Sequence, residues 1–283
     1  MRQIGNVIGV APAAAPVLPR ATHDPEGRAY SIMDSTRIAQ CQMCFDVGWH
    51  KDEYDQTVQC VACNGGKRFY PVADLCRIAK IPDELYSYTL QTWLTMFPEH
   101  EAIHRALSAF AAEGMTRSGA RGLYIHGSTG TGKTGASVAT LSDMLPRAVG
   151  PARYIYWPDW LDSIKETWQT DRSLTVAEVI HELNKMTILV VDEFGGAGEG
   201  STEWKADVAR RLTDARALGA ASGKVTIWTS QLDLDGITRE FLGPPIGAAI
   251  ASRIMGHCTV FEIVGYDGRE REYSRRHGEK RPT

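Results

Sequence analysis

The stretch Gly127-Ser128-Thr129-Gly130-Thr131-Gly132-Lys133-Thr134 spells G-x-x-x-x-G-K-T, and nothing else in the chain constrains its fold as tightly. Such a loop cradles phosphate with successive backbone N–H groups, which requires a strand running into it and a helix running out. The flanking residues suit this. Leu123-Tyr124-Ile125-His126 is a short apolar run, a candidate buried strand, and 134–145 reads as a helix stopped by Pro146. The glycines let backbone approach phosphate without a Cβ in the way. Lys133 is placed to reach β- and γ-phosphates, and the Thr134 hydroxyl to sit on Mg²⁺.

A chain of 283 residues has room for one large domain plus a small module, or for two domains. Its net charge of −3 makes no case for whole-chain attraction to nucleic acid, so any such contact needs a local patch. No apolar run approaches the ~20 residues that span a bilayer. Arg2 is followed by a broken Ala/Pro/Gly stretch rather than a signal-peptide core. The expectation is a cytoplasmic protein with no membrane partner, whose six cysteines are reduced unless they bind metal.

Residues 1–35 are rich in Ala, Pro and Gly without a period and read as a flexible arm. Residues 36–75 hold four paired cysteines, and 82–118 a helical lead-in ending near Gly114. From Arg121 strands and helices alternate. Candidate strands are Leu123–His126, Arg153–Trp157, Thr187–Val191, Val225–Thr229 and Cys258–Ile263, with helical patterns at 134–145, 158–168, 176–185, 203–218 and 246–255. This alternation predicts an α/β fold with a parallel sheet flanked by helices. The tail, 266–283, is mildly basic and reads as solvated.

Cys41-Gln42-Met43-Cys44 and Cys60-Val61-Ala62-Cys63 form C-x₂-C, a 15-residue spacer, and C-x₂-C. Each pair can turn both thiolates toward one ion, and the spacer is long enough for two short strands to bring the pairs together. Four thiolates close a tetrahedral zinc site and leave no open position, so the predicted Zn²⁺ is structural. Buried unpaired cysteines or two disulfides are the alternatives. Trp49, Phe69 and Tyr70 with Lys51, Lys67 and Arg68 suit single-stranded nucleic acid. The acids Asp46, Asp52, Glu53 and Asp55 suit protein docking equally well. Cys76 and Cys258 read as small core residues.

Thr187-Ile188-Leu189-Val190-Val191-Asp192-Glu193 is an apolar strand ending in two acids, the Walker B form. Asp192 would assist Mg²⁺ beside Thr134, and Glu193 would orient and activate the attacking water. Val225–Gln231 reads as the next core strand, emerging between the phosphate loop and the Asp192 strand. Ser230 or Gln231 is then near the γ-phosphate. Local sequence favours an ion-paired surface role for Arg253, with an arginine finger serving a neighbouring subunit as the alternative.

Taken in order, these motifs resemble the AAA+ ATPases of the bacterial helicase-loader group, the DnaC/DnaI type, with IstB-type transposition ATPases as relatives. The resemblance rests on Gly127–Thr134, Ile188–Glu193 with Phe194-Gly195, Trp204–Leu218 with Arg216, Thr226–Gln231, Ala251-Ser252-Arg253-Ile254 and the lead-in Tyr86–Leu90. It implies a P-loop NTPase domain over 82–265 binding ATP and Mg²⁺ through Gly127 to Thr134 and Asp192, with Glu193 as the Walker B glutamate. It also implies that Arg253 is a trans-acting finger, that Gln231 is a sensor standing where the group usually has Asn, and that Arg216 touches a neighbouring subunit. No lid-domain arginine is evident. The cysteine module becomes the partner-binding end.

The function so implied is ATP-dependent loading of a hexameric replicative helicase onto single-stranded DNA, with hydrolysis between subunits of an oligomer. An IstB-type helper acting with a transposase is the alternative. A nucleoside kinase is disfavoured because its zinc element follows the ATPase core rather than preceding it. A zinc-containing adaptor that binds ATP only structurally would show no turnover.

Overall fold

The computed structural model describes residues 49–51, 57–59, 72–113, 122–148, 150–170, 175–196, 202–220, 222–265 and 267–268. The chain divides into two units, up to Phe69 and from Tyr70 onward. In the first, β1 (Trp49–Lys51) pairs antiparallel with β2 (Thr57–Gln59), Trp49 opposite Gln59 and Lys51 opposite Thr57. Cys41, Cys44, Cys60 and Cys63 lie outside the described residues, as do the arm and nearly all of the tail.

The second unit begins with α1 (Val72–Ile78), α2 (Leu90–Met96) and α3 (Glu101–Glu113). Strands and helices then alternate: β3 (Gly122–His126), α4 (Lys133–Met144), β4 (Ala152–Tyr156), α5 (Trp157–Thr170), α6 (Val176–Asn184) and β5 (Ile188–Asp192). The chain continues through α7 (Glu203–Ala220), β6 (Val225–Ser230), α8 (Leu234–Glu240), α9 (Ile246–His257) and β7 (Cys258–Glu262). Helix starts follow local chemistry. Thr175 caps α6 by accepting from the Glu178 N–H while the Glu178 carboxylate accepts from the Thr175 N–H, a capping box spelled T-x-x-E.

Five strands form one parallel sheet in the order β4-β5-β6-β3-β7. The period of two divides each central strand between two cores. Leu123, Ile125, Ile188, Val190, Val225 and Ile227 face one layer with α4 and the lead-in helices. Tyr124, Leu189, Val191 and Trp228 face the other, with Trp157, Leu212 and Ile250 from α5, α7 and α9. A sheet so covered reads as near-continuous apolar runs, as these strands do. The expected parallel sheet with helices on both faces is therefore observed. Cys76 and Cys258 are buried thiols, the former near the Ser142 hydroxyl. Among the described residues no helix is long and apolar enough to cross a membrane.

Candidate active site

Strand order builds the site. β6 lies between β3, which leads into the phosphate loop, and β5, which ends at Asp192. The loop, the acids and the end of β6 therefore meet at the carboxyl edge of the sheet, where open α/β sheets bind ligands.

The loop itself is shaped by close approaches. Gly127 has φ +149°, and a Cβ there would lie 2.1 Å from the Ile263 carbonyl oxygen. Gly132 has φ +91°, and a Cβ there would collide with the rings of Phe97 and Trp93. Trp93 also donates its indole N–H to the Gly132 carbonyl at 2.9 Å. The lead-in helix α2 thus buttresses the loop from below, a role that helical periodicity did not reveal. From the other side, the chain leaving β7 is fastened down. Ile263 N–H donates to the His126 carbonyl (2.7 Å) and Gly268 N–H to the Gly130 carbonyl (2.9 Å), while the Asp267 carboxylate fills the space beside Gly130.

Lys133 is the first residue of α4 and is buried, its ammonium donating to the Ser128 carbonyl at 2.7 Å. Thr134 points its hydroxyl at both carboxylate oxygens of Asp192, 3.0 Å from each. Asp192 is 2 % exposed. Its Oδ2 also accepts from the Tyr154 hydroxyl at 2.7 Å, and its Oδ1 from the Thr229 hydroxyl. Burial pushes the Asp192 carboxyl above its ordinary value, against the opposing pull of these hydroxyls. Burial, and next the Asp192 charge, hold the Tyr154 phenol well above its usual range, so it remains a neutral donor.

Glu193 sits just past β5 with φ +57°, left-handed for a residue with a side chain. Its N–H donates to Thr229 Oγ1 at 3.0 Å, which over-determines the turn. Backbone held this way costs about 1–3 kcal/mol and concentrates at functional sites. Gln231 joins the two halves of the site. Its Nε2 donates to Glu193 Oε2 at 3.2 Å and its Oε1 accepts from the Thr129 hydroxyl at 3.1 Å. Ser230 is spent internally, donating to the Phe194 carbonyl at 2.6 Å and accepting from the Leu232 N–H. Of Ser230 and Gln231, only Gln231 bonds an acid through its side chain.

Among the described residues no cluster of His, Cys, Asp or Glu side chains is arranged to hold a metal. Thr134 and Asp192 instead offer a hydroxyl and a carboxylate 3.0 Å apart. That sparse set of hard oxygen donors fits Mg²⁺, which keeps waters and takes phosphate oxygens for its remaining positions.

Arg253 is elsewhere. It is half-exposed on α9 and ion-paired to Asp214 of α7. It shares a cleft with Gly122, Thr226 and Cys258, near the amino ends of β3, β6 and β7. The phosphate loop leaves the opposite end of β3, so Arg253 is remote from the loop of its own chain.

Arg216 corrects an expectation. It does not face a neighbouring subunit: it is 3 % exposed. Its guanidinium donates to Thr226 Oγ1 (2.7 Å) and to the carbonyls of Met186 (2.8 Å) and Val225 (2.7 Å). Burial pushes the guanidinium down to about 9. The ring of acceptors solvates it, and it fastens α7 to the segments entering β5 and β6. Two residues at the acids, Tyr154 and Thr229, carry no motif. Thr229 ends a predicted strand, whereas Tyr154 lies inside one with nothing in the sequence to single it out.

No family model matches the chain, and no curated protein matches it. Its fold does match solved structures. The crystal structure of DnaI aligns with a TM-score of 0.51 at 22% identity, covering 67% of this chain and 95% of that one. The crystal structure of the DnaC helicase loader aligns with a TM-score of 0.51 at 17% identity, covering 65% of this chain and 100% of that one. These alignments show a shared fold, a parallel α/β sheet flanked by helices.

Proposed function

We propose that this chain is a P-loop ATPase of DNA replication that loads a hexameric replicative helicase onto single-stranded DNA, turning over ATP between its own copies. The reading is carried by the meeting of Thr134, Asp192, Glu193 and Gln231 beside the phosphate loop. The fold shared with DnaI and with the DnaC helicase loader supports the replication role.

In this reading the loop N–H groups from Gly127 to Thr134, including those of Ser128, Thr129, Gly130, Thr131 and Gly132, bind the β-phosphate. Lys133 exchanges the Ser128 carbonyl for phosphate oxygens. Thr134 and Asp192 would hold Mg²⁺, which when bound would neutralise charge on the triphosphate. Glu193, aimed by Gln231, orients the attacking water and takes up its proton as the water oxygen bonds to the γ-phosphorus and ADP departs. Arg253, remote from its own loop, stabilises the transferring phosphoryl group of a neighbouring copy.

The proposed layout is an arm over 1–35, a Cys41/Cys44/Cys60/Cys63 zinc module over 36–75, the ATPase domain over 82–265 and a basic tail over 266–283. Support for the module comes from β1 and β2. Trp49, five residues after Cys44 in the sequence, pairs with Gln59, which directly precedes Cys60.

The test is ATP turnover by the full chain with single-stranded DNA, together with capture of partners from the native cell in the presence of ATP. Glu193→Gln should keep MgATP binding and lose at least ~10²-fold in turnover. Arg253→Ala should bind ATP yet hydrolyse it only when mixed with a chain that supplies the arginine. A wild-type chain that binds no MgATP refutes the ATPase, and recovery of a transposase in place of a helicase replaces loading with the transposition reading.

A further inference from the structure

The Asp192 carboxylate is gripped from both sides of its strand. Tyr154 reaches it from β4, one neighbour of β5, and Thr229 from β6, the other. Each hydroxyl takes a different carboxylate oxygen, so the two together fix the plane of the group. The lone pairs left over face the Thr134 hydroxyl, 3.0 Å away.

Tyr154 is well suited to this work. Its ring is 6 % exposed and packed in the same layer as Ala152, Ile188 and Val190. A phenol has only two side-chain torsions, and packing removes the freedom of both. The hydroxyl is therefore delivered to one point at 2.7 Å from Oδ2, where a longer polar side chain would need ordering.

We propose that Tyr154 is a positioning residue for the divalent cation: by holding Asp192 Oδ2 it presents the carboxylate to the metal side of the site and sets the affinity for Mg²⁺. This rests on the ATPase reading given above. It adds a residue outside the phosphate loop and the acidic pair, from a strand that carries no nucleotide motif. Removing an outer partner of a metal-binding group typically costs about 10–100-fold in metal affinity. Thr229 and Thr134 still restrain Asp192 when the phenol is gone, which selects the lower end of that range.

Tyr154→Phe tests this in the full chain, because it keeps the ring and deletes only the donor. The readouts are binding of a fluorescent ATP analogue and ATP turnover, each titrated with Mg²⁺, and analogue binding in excess EDTA. The half-saturating Mg²⁺ concentration should rise about tenfold. Turnover at saturating Mg²⁺ and metal-free analogue binding should each stay within about twofold of wild type, a pattern that loosened packing does not produce. Tyr154→Met, which refills the layer without a hydroxyl, should give the same shift. An unchanged Mg²⁺ requirement in these variants, in a wild type that needs Mg²⁺, overturns the assignment and leaves the ATPase standing. A wild-type chain with no Mg²⁺-dependent nucleotide binding overturns both.

Discussion

Replacing Arg216 with methionine separates an internal fastening from a contact between subunits. Methionine approximates the length and volume of the arginine stem and removes the guanidinium. It leaves the Met186 and Val225 carbonyls, accepted at 2.8 and 2.7 Å in the native chain, without that donor in the interior. The Met186 carbonyl so stranded costs about 1–3 kcal/mol, and loss of the bond to the Val225 carbonyl, which the β5–β6 ladder still engages, about 1 kcal/mol. Loss of the bond to the Thr226 hydroxyl adds about 1 kcal/mol more. Against this, the buried charge no longer has to be desolvated, which returns part of the loss. A net destabilisation of about 3 kcal/mol follows, and in a domain of 150–250 residues it lowers the melting temperature by about 6–12 °C. Thermal unfolding followed by circular dichroism measures this, alongside ATP turnover at a temperature where both proteins are folded. Turnover per folded molecule should be close to wild type. A variant that melts within about 2 °C of wild type yet has lost hydrolysis would refute the fastening and restore Arg216 to a subunit interface.

Asp192→Asn should raise the melting temperature at neutral pH while eliminating Mg²⁺-dependent hydrolysis. The folded carboxyl titrates above its ordinary 3.8, so its stabilising contribution is complete below that value and is lost as pH rises through the folded value. The gain over wild type should therefore shrink on acidification toward pH 4, and melts across a pH series check it; a gain independent of pH contradicts the linkage. For the cysteine module, metal analysis of the full chain should find about one zinc per chain, bound by four thiolates and released by a mercurial reagent. Absence of zinc, with all four thiols freely titrating, excludes the module.

Much of the sheet was legible because its three central strands, β3, β5 and β6, are buried almost throughout. Uninterrupted runs such as Ile188–Val191 can hardly be anything but interior, and each of the five predicted strands is present within a residue or two of its expected limits. The phosphate loop and the acids were legible because their chemistry tolerates few substitutes. The place of β6 between β3 and β5 was expected from its motif; the edge positions of β4 and β7 were not, since pairing between residues as distant as Gly122 and Cys258 leaves no local trace. Helix α8 escaped because seven residues are too few to display a period, although its cap, Asp233 accepting from the Gly236 N–H, was there to be noticed. Arg216 misled because arginine is ordinarily a surface residue. Its spacing from Leu212, Thr213 and Ala220 nevertheless puts it on the buried stripe of α7. Tyr154 and Thr229 look like ordinary strand residues until three strands are assembled side by side.

The bond from Gly268 to Gly130 ties the start of the C-terminal segment to the floor of the phosphate cradle. A partner that grips that segment would hold a lever attached to the catalytic loop. Tension applied there would be passed to the phosphate loop through the Gly268–Gly130 hydrogen bond, without any rearrangement of the sheet between.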